Sequence, residues 1–360
     1  MSSKFIKLAA VSVCMLPILS SCGSRTSEIS NPLDIDFGDP YVLLADDGRY
    51  YMYGTGIVDD GFCCYVSDNL ADWDYVGQVY KADKEKSWGT DCFWAPEVYE
   101  KDGKYYMFFS ADWKVNPGNE LENFRIGVAV SDSPAGPFRD VSDGPLFDPG
   151  YPIIDANVLA DDDGRYYLYY SRCCYKHPVE SEIADWAREK GLYDEIEESW
   201  IYGVGLSPDF SSVIGEPVLL MRPPVSLDDT QAEWESRSVT HGEANRRWTE
   251  GSFLIKDGGR YYMMYSANFF GGANYAVGYA VSDSPLGPYA KSDSNPVLSR
   301  NGDVTGTGHN SVTWSRDGKT MYCVYHGRTE ATGNQRVVFI DKMKIEDGKL
   351  TVNGPTLGRK

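Results

Sequence analysis

Three acidic residues stand at the start of otherwise apolar segments: Asp39 in Gly38-Asp39-Pro40, Asp155 in Ile154-Asp155-Ala156 and Glu250 in Thr249-Glu250-Gly251. Each lies nine residues before a turn glycine, Gly48, Gly164 or Gly259, and the same count back from Gly103 and Gly318 lands on Trp94 and His309. A lone Asp at the start of a strand is an ordinary turn residue. Recurrence at one spacing is different, because like charges gathered at one point repel, and a scaffold with no use for them would place neutral groups there. Two carboxyls held in different protonation states can act as general base and general acid. A pair that flanks a bond in this way is what hydrolysis of a glycosidic linkage requires, at a separation of about 6.5–9.5 Å when water attacks directly with inversion.

For these residues to meet, equivalent elements must carry them. DDGRYYMYGT (46–55), KDGKYYMFFS (101–110), DDGRYYLYYS (162–171), GGRYYMMYS (258–266) and RDGKTMYCVYH (316–326) are copies of one hairpin, with Asp-Gly or Gly-Gly supplying the positive φ angles of the turn. A further strand recurs downstream in YVSDNLADW, VAVSDSPAGPF, VGLSPDF and YAVSDSPLGPY. The turn glycines Gly48, Gly103, Gly164, Gly259 and Gly318 are separated by 55, 61, 95 and 59 residues, a period that predicts an all-β, five-bladed β-propeller. The first strand of each blade lines the central channel of such a fold, so its polar residues converge. The long third interval predicts insertions: a short amphipathic helix around Ile183, Trp186, Ala187 and Leu192, and a polar segment from Arg222 to Trp248. The aspartates of the hairpin tips, Asp46, Asp47, Asp161, Asp162 and Asp163, need no role beyond the turn.

The chain opens with MSSKFIKLAAVSVCMLPILSSC, two lysines before a short apolar run ending in small residues, the build of a secretory signal and too short for a membrane span. Leu19-Ser20-Ser21-Cys22 resembles a bacterial lipobox. The expected organisation is a lipoprotein signal peptide over 1–21, a tether over 22–30 from a lipid anchor at Cys22, and one catalytic domain over 31–360. That places the protein outside the cytoplasm, on the periplasmic side or at the cell surface, in contact with the membrane through its lipid alone. A net charge of −19 argues against nucleic acid as a partner and favours a neutral substrate. The cysteines of the mature chain show no zinc-type spacing, and the sequence selects no disulfide pairing among them.

Together the segments NPLDIDFGDPYVLLADDGRYYMYGT, PIIDANVLADDDGRYYLYYS and WTEGSFLIKDGGRYYMMYS resemble glycoside hydrolase family 43, over essentially all of residues 31–358. The resemblance implies an inverting enzyme on arabinose- and xylose-containing glycans, an α-L-arabinofuranosidase or β-xylosidase, with Asp39 as general base, Glu250 as general acid and Asp155 orienting the acid and tuning its pKa. It also implies a calcium or sodium ion near His309 and no organic cofactor. Trp94 in CFWAPEVY is similar to the family's pocket-wall tryptophan, Glu97 follows as a supporting polar group, and Arg328 in YHGRTE is a candidate substrate contact. A fructan-cleaving hydrolase of the same fold would show Arg-Asp-Pro and Glu-Cys contexts, which are missing here. A non-catalytic glycan-binding propeller is the reading from another class, and loss of a carboxylate would be its mark.

Overall fold

The computed structural model describes residues 28–83, 85–174 and 180–359. The signal segment and Cys22 lie outside the described residues. Five four-stranded units follow one another along the chain, and the innermost strands are Gly38–Leu44, Gly89–Lys101, Ile153–Ala160, Arg246–Asp257 and Val304–Trp314. Each of these strands touches the next, and the fifth touches the first, which closes a five-bladed propeller around an axis.

Blade faces pack against neighbouring blades on both sides, which explains the near-continuous apolar runs. The second strand of blade 1, Tyr50–Thr55, is buried at every residue. Between blades 1 and 2 the contact is aromatic: Phe109 lies 4.9 Å from Tyr80 and 5.7 Å from Trp88, centroid to centroid. Truncating such a ring to alanine costs about 3–5 kcal/mol. Tyrosine suits these strands because its hydroxyl reaches past the apolar layer to a polar partner. Tyr53 in blade 1 donates to Pro134 O at 2.6 Å, and Tyr169 in blade 3 donates to Pro285 O at 2.9 Å. Both prolines belong to the recurring Ser-Asp-Ser-Pro loop, so the two repeated sequence elements latch neighbouring blades together.

The ring is closed near the chain ends. Leu33 N donates to Val338 O at 2.8 Å, Asn31 bonds both polar groups of the Ile340 backbone, and Ser30–Asn31 pairs with Gly358–Arg359. Blades 3 and 4 share one eight-stranded sheet, because Glu197–Ser199 of blade 3 runs parallel to Arg246–Trp248 of blade 4. The expected insertion helix spans Glu182–Glu189, capped by Ser181, with Ile183, Ala184 and Ala187 buried. Leu192 falls beyond its end and is exposed. The Arg222–Trp248 segment folds into two short helices, Ala232–Glu235 and Arg237–Thr240. Among the described residues Cys63, Cys64, Cys92, Cys174 and Cys323 are free thiols, and of the six cysteines including Cys173 all but Cys92 are buried.

Candidate active site

Every innermost strand carries one extra residue at the same height. Gly38 pairs with Thr55 while Tyr41 pairs with Tyr53, and the same slip follows Trp94, Ile154, Glu250 and Gly308. This is a β-bulge, which bends a strand and re-aims a side chain. The residue after the slip has positive φ in all five blades: Asp39 (52°), Ala95 (46°), Asp155 (62°), Gly251 (56°) and His309 (49°). Asp and His are among the side chains that tolerate this region best. In four blades the amide of that residue donates to the last residue of the hairpin repeat in the preceding blade: Ala95 N to Thr55 Oγ1 at 2.8 Å, Asp155 N to Ser110 Oγ at 3.0 Å, His309 N to Ser266 Oγ at 2.7 Å, and Asp39 N to His326 Nδ1 at 3.2 Å. The Thr, Ser or His ending four of the five repeats therefore positions the axis of the next blade.

The spacing count is off by one in two blades. Blades 2 and 4 turn through two residues, with Lys101 pairing Lys104 and Asp257 pairing Arg260. Blades 1, 3 and 5 have wider tips, in which Gly48, Gly164 and Gly318 each donate to the third residue back. The residues equivalent to Asp39, Asp155 and His309 are thus Ala95 and Gly251, and Trp94 and Glu250 sit one residue earlier. All five predicted positions nevertheless meet. Asp39, Trp94, Asp155, Glu250 and His309 line one cavity of about 410 Å³, walled further by Glu122, Arg246, Trp248, Phe269, Phe270 and Arg336. A larger groove of about 630 Å³ on the outer part of blades 3 and 4 contains none of the axial carboxylates.

The three carboxyls are not equivalent. Burial alone would push Asp39 up, but Arg336 Nη1 lies 2.9 Å from its Oδ1, with the imidazoles of His309 and His326 at 3.3 and 3.5 Å, and the balance holds Asp39 well below the usual carboxylate range. Burial pushes Glu250 up to about 7, aided by the charge of Asp39 and opposed by a hydrogen bond from Tyr275 Oη at 2.7 Å. Asp155 is also pushed up to about 7, by burial and then by Glu250 and Asp39, while His309 and the Ser171 hydroxyl, 3.2 Å away, oppose the rise. Near neutrality the site thus holds one fixed carboxylate beside two carboxyls able to keep a proton. Beneath them Glu97 is raised to about 8, chiefly by burial, and accepts from Tyr99 Oη and from Asn157 Nδ2 at 2.9 Å.

Arg328 is a correction to the sequence reading. It does not line the cavity: Nε donates to Asn334 O at 3.1 Å and Nη1 to Phe270 O at 2.9 Å, so it supports the loop carrying Phe270. The guanidinium at the axis is that of Arg336, in Asn-Gln-Arg-Val, which carries no sequence signal. Tyr275 was also missed. It stacks on His326 with centroids 5.6 Å apart and 14° between planes, and Gly308 leaves it room, since a Cβ there would come within 2.1 Å of its ring.

A second cavity on the axis, of about 10 Å³, is lined by Asp39, Glu97, Asp155, Ser252, His309 and Asn310 among others. Ser252 Oγ and Asn310 Oδ1 are buried there without a protein partner, a donor set that suits a hard cation or a water. Among the described residues no three His, Cys or carboxylate groups gather to hold a metal by themselves.

Comparison with known proteins gives a consistent picture. Residues 29–350 match the model of the glycosyl hydrolases family 43. A xylosidase/arabinosidase of Bacteroides ovatus is 34% identical over 268 residues, 70% of this chain and 75% of that protein. A beta-D-galactofuranosidase of Aspergillus niger is 27% identical over 333 residues, 86% of this chain and 80% of that one. Among solved structures, a thermostable family-43 glycoside hydrolase superposes with a TM-score of 0.78 at 39% identity, covering 92% of this chain and 98% of its own.

Proposed function

The chain belongs to glycosyl hydrolase family 43, and from that membership we propose that it is an inverting α-L-arabinofuranosidase or β-xylosidase in which Asp39, Asp155 and Glu250 do the chemistry. Asp39, ionised throughout the working range, takes a proton from water, which attacks the anomeric carbon from one face. Glu250 protonates the departing oxygen on the other face. Asp155 shares the proton balance of the acid and holds its orientation. The observation that carries this reading is the split in protonation between Asp39 and the Glu250–Asp155 pair within one cavity. Trp94, packed 4.7 Å from Phe124, offers its indole to a sugar ring on the cavity wall.

All three carboxyls a hydrolase needs are in place, which speaks against a purely binding role. A calcium or sodium ion at the small axial cavity would be held by His309 and the neutral oxygens of Ser252 and Asn310, and would supply positive charge that favours ionised carboxylates. Residues 1–21 are assigned as the signal, Cys22 as the lipid anchor and 22–30 as the tether, with the propeller held outside the cytoplasm. The test is product analysis on a panel of aryl arabinofuranosides, xylosides and galactofuranosides together with plant glycans, reading the first-formed anomer by NMR. Inversion on a pentoside, lost by several orders of magnitude in Asp39→Asn, is expected. Retention, or near-normal rates in Asp39→Asn, would refute the assignment.

A further inference from the structure

The blade 4 strand places Arg246, Trp248 and Glu250 at alternate positions, and all three side chains line the catalytic cavity. The residues between them point the other way. Arg247 is fully buried, with Nη1 3.0 Å from Glu198 Oε1 and from Ser181 Oγ, Nε 3.1 Å from Ser236 Oγ, and a bond to Pro224 O. Ser181, Pro224 and Ser236 all belong to the two insertions, so Arg247 rivets those insertions to the back of the strand that carries the acid.

Fixing the strand from behind fixes what it presents in front. Arg246 Nε lies 3.0 Å from Glu197 Oε2, and its guanidinium stands 5.2 Å from the Trp248 ring and 5.8 Å from the Phe269 ring. A guanidinium held by a carboxylate and by two aromatic faces has lost most of its side-chain freedom before any ligand arrives, and little remains to be lost on binding. Arg246 lies four residues before Glu250, roughly 13 Å along the backbone, and both side chains reach the same cavity.

The acid protonates the leaving oxygen, so the departing part of the substrate lies beside Glu250, in the cavity that Arg246 also lines. We propose that Arg246, clasped by Glu197, is the specificity-determining contact for the leaving glycan, donating hydrogen bonds to its hydroxyls while Trp248 and Phe269 hold the guanidinium in plane. The ligand class is a neutral oligosaccharide chain on the leaving side, not a simple alcohol or phenol. This rests on Glu250 being the acid, as proposed above.

The experiment compares three substrates with the same glycon, a 4-nitrophenyl glycoside, a methyl glycoside and the corresponding oligosaccharide, in wild type, Arg246→Ala and Glu197→Gln. For Arg246→Ala, kcat/KM on the oligosaccharide should fall ~10–100-fold, the loss of a hydrogen bond from a charged donor. The aryl glycoside has no hydroxyls on the leaving side and should lose less than about 3-fold by the same reasoning. Glu197→Gln, which keeps the guanidinium but loosens it, should show a smaller loss of the same pattern. An equal loss on the methyl glycoside, which needs the acid but carries no leaving sugar, would mean that Arg246 acts only through the strand and its acid, and unchanged rates on all the substrates would mean that the leaving glycan does not reach it; either overturns the proposal. A wild-type enzyme that cleaves none of the substrates, on any glycon of the panel, would instead overturn the assignment of the site itself.

Discussion

Replacing Tyr275 with Phe should make the enzyme active at higher pH, although it removes an interaction from the acid. Tyr275 Oη donates to Glu250 Oε1 at 2.7 Å, and a hydrogen bond given to a carboxylate favours its charged form. Burial has already raised Glu250 to about 7, and Tyr275 is the largest opposing influence on it. A hydrogen bond to a charged group contributes ~1.5–3 kcal/mol, and one pKa unit corresponds to about 1.36 kcal/mol, so losing the hydroxyl should raise Glu250 by roughly 1–2 units. The acid works when protonated, and the alkaline limb of kcat/KM follows its pKa in the free enzyme, so that limb should move up by the same amount. Phe preserves the ring that stacks on His326 and fills the same space beside Gly308. The assay needs a substrate with a poor leaving group, since an acidic one needs little protonation and would hide the effect. Asp155 also sits near 7, so the limb belongs to the pair; repeating the comparison in an Asp155→Asn background isolates the Glu250 component. A limb that stays in place, or moves to lower pH, would refute the electrostatic account of the acid.

Glu250→Gln should cost orders of magnitude on natural linkages but far less on nitrophenyl glycosides, compared by initial rates; equal losses would remove Glu250 from the acid role. Glu97 has a folded-state pKa of about 8, above its ordinary value, so the stability it contributes is full below about 4.5 and is lost as pH rises through 8. The wild-type melting temperature should therefore drop between pH 5 and 9, and Glu97→Gln should drop less, by at least about 2 °C at pH 9 in a calorimetric scan. Identical curves would show that the carboxyl is not held protonated in the fold. Cys22→Ser should release the protein from the membrane fraction on centrifugation, and a variant that still sediments with membranes would exclude the lipid anchor.

Much of this architecture can be read from residue order because it is repetitive. The five turn glycines mark five hairpins, and the tyrosines after them mark the strands buried between blades. What the spacing cannot show is the length of each hairpin tip, and a tip shorter by one residue moves Glu250 and Trp94 off the bulge position while leaving both at the cavity. The Thr, Ser or His ending four of the five repeats was a visible signal for the amide bonds at the axis, in Thr55, Ser110, Ser266 and His326. Arg336 and Tyr275 left no comparable signal. They reach the axis from strands or loops outside the hairpin repeat, through contacts hundreds of residues apart in one case, Arg336 to Asp39, and through a gap left by a glycine in the other. The same limit explains Arg328. It sits on blade 5 close to Arg336, and only the partners of its guanidinium distinguish a supporting residue from one that faces the cavity.

The bulge at the axis also governs how this protein can change over generations. Its five left-handed positions hold Asp, Ala, Asp, Gly and His, and that backbone region admits Asn and Gly readily while penalising β-branched residues. The replacements most easily tolerated at Asp39 and Asp155 are therefore those that erase the charge and leave the backbone undisturbed. At Asp155, which burial and its acidic neighbours disfavour as an anion, removing the carboxylate also relieves the ring of an electrostatic load. A lineage released from selection for catalysis can lose its chemistry in one substitution and keep an intact, sugar-shaped cavity, so silent descendants that still hold glycans are the variants this scaffold would accumulate first.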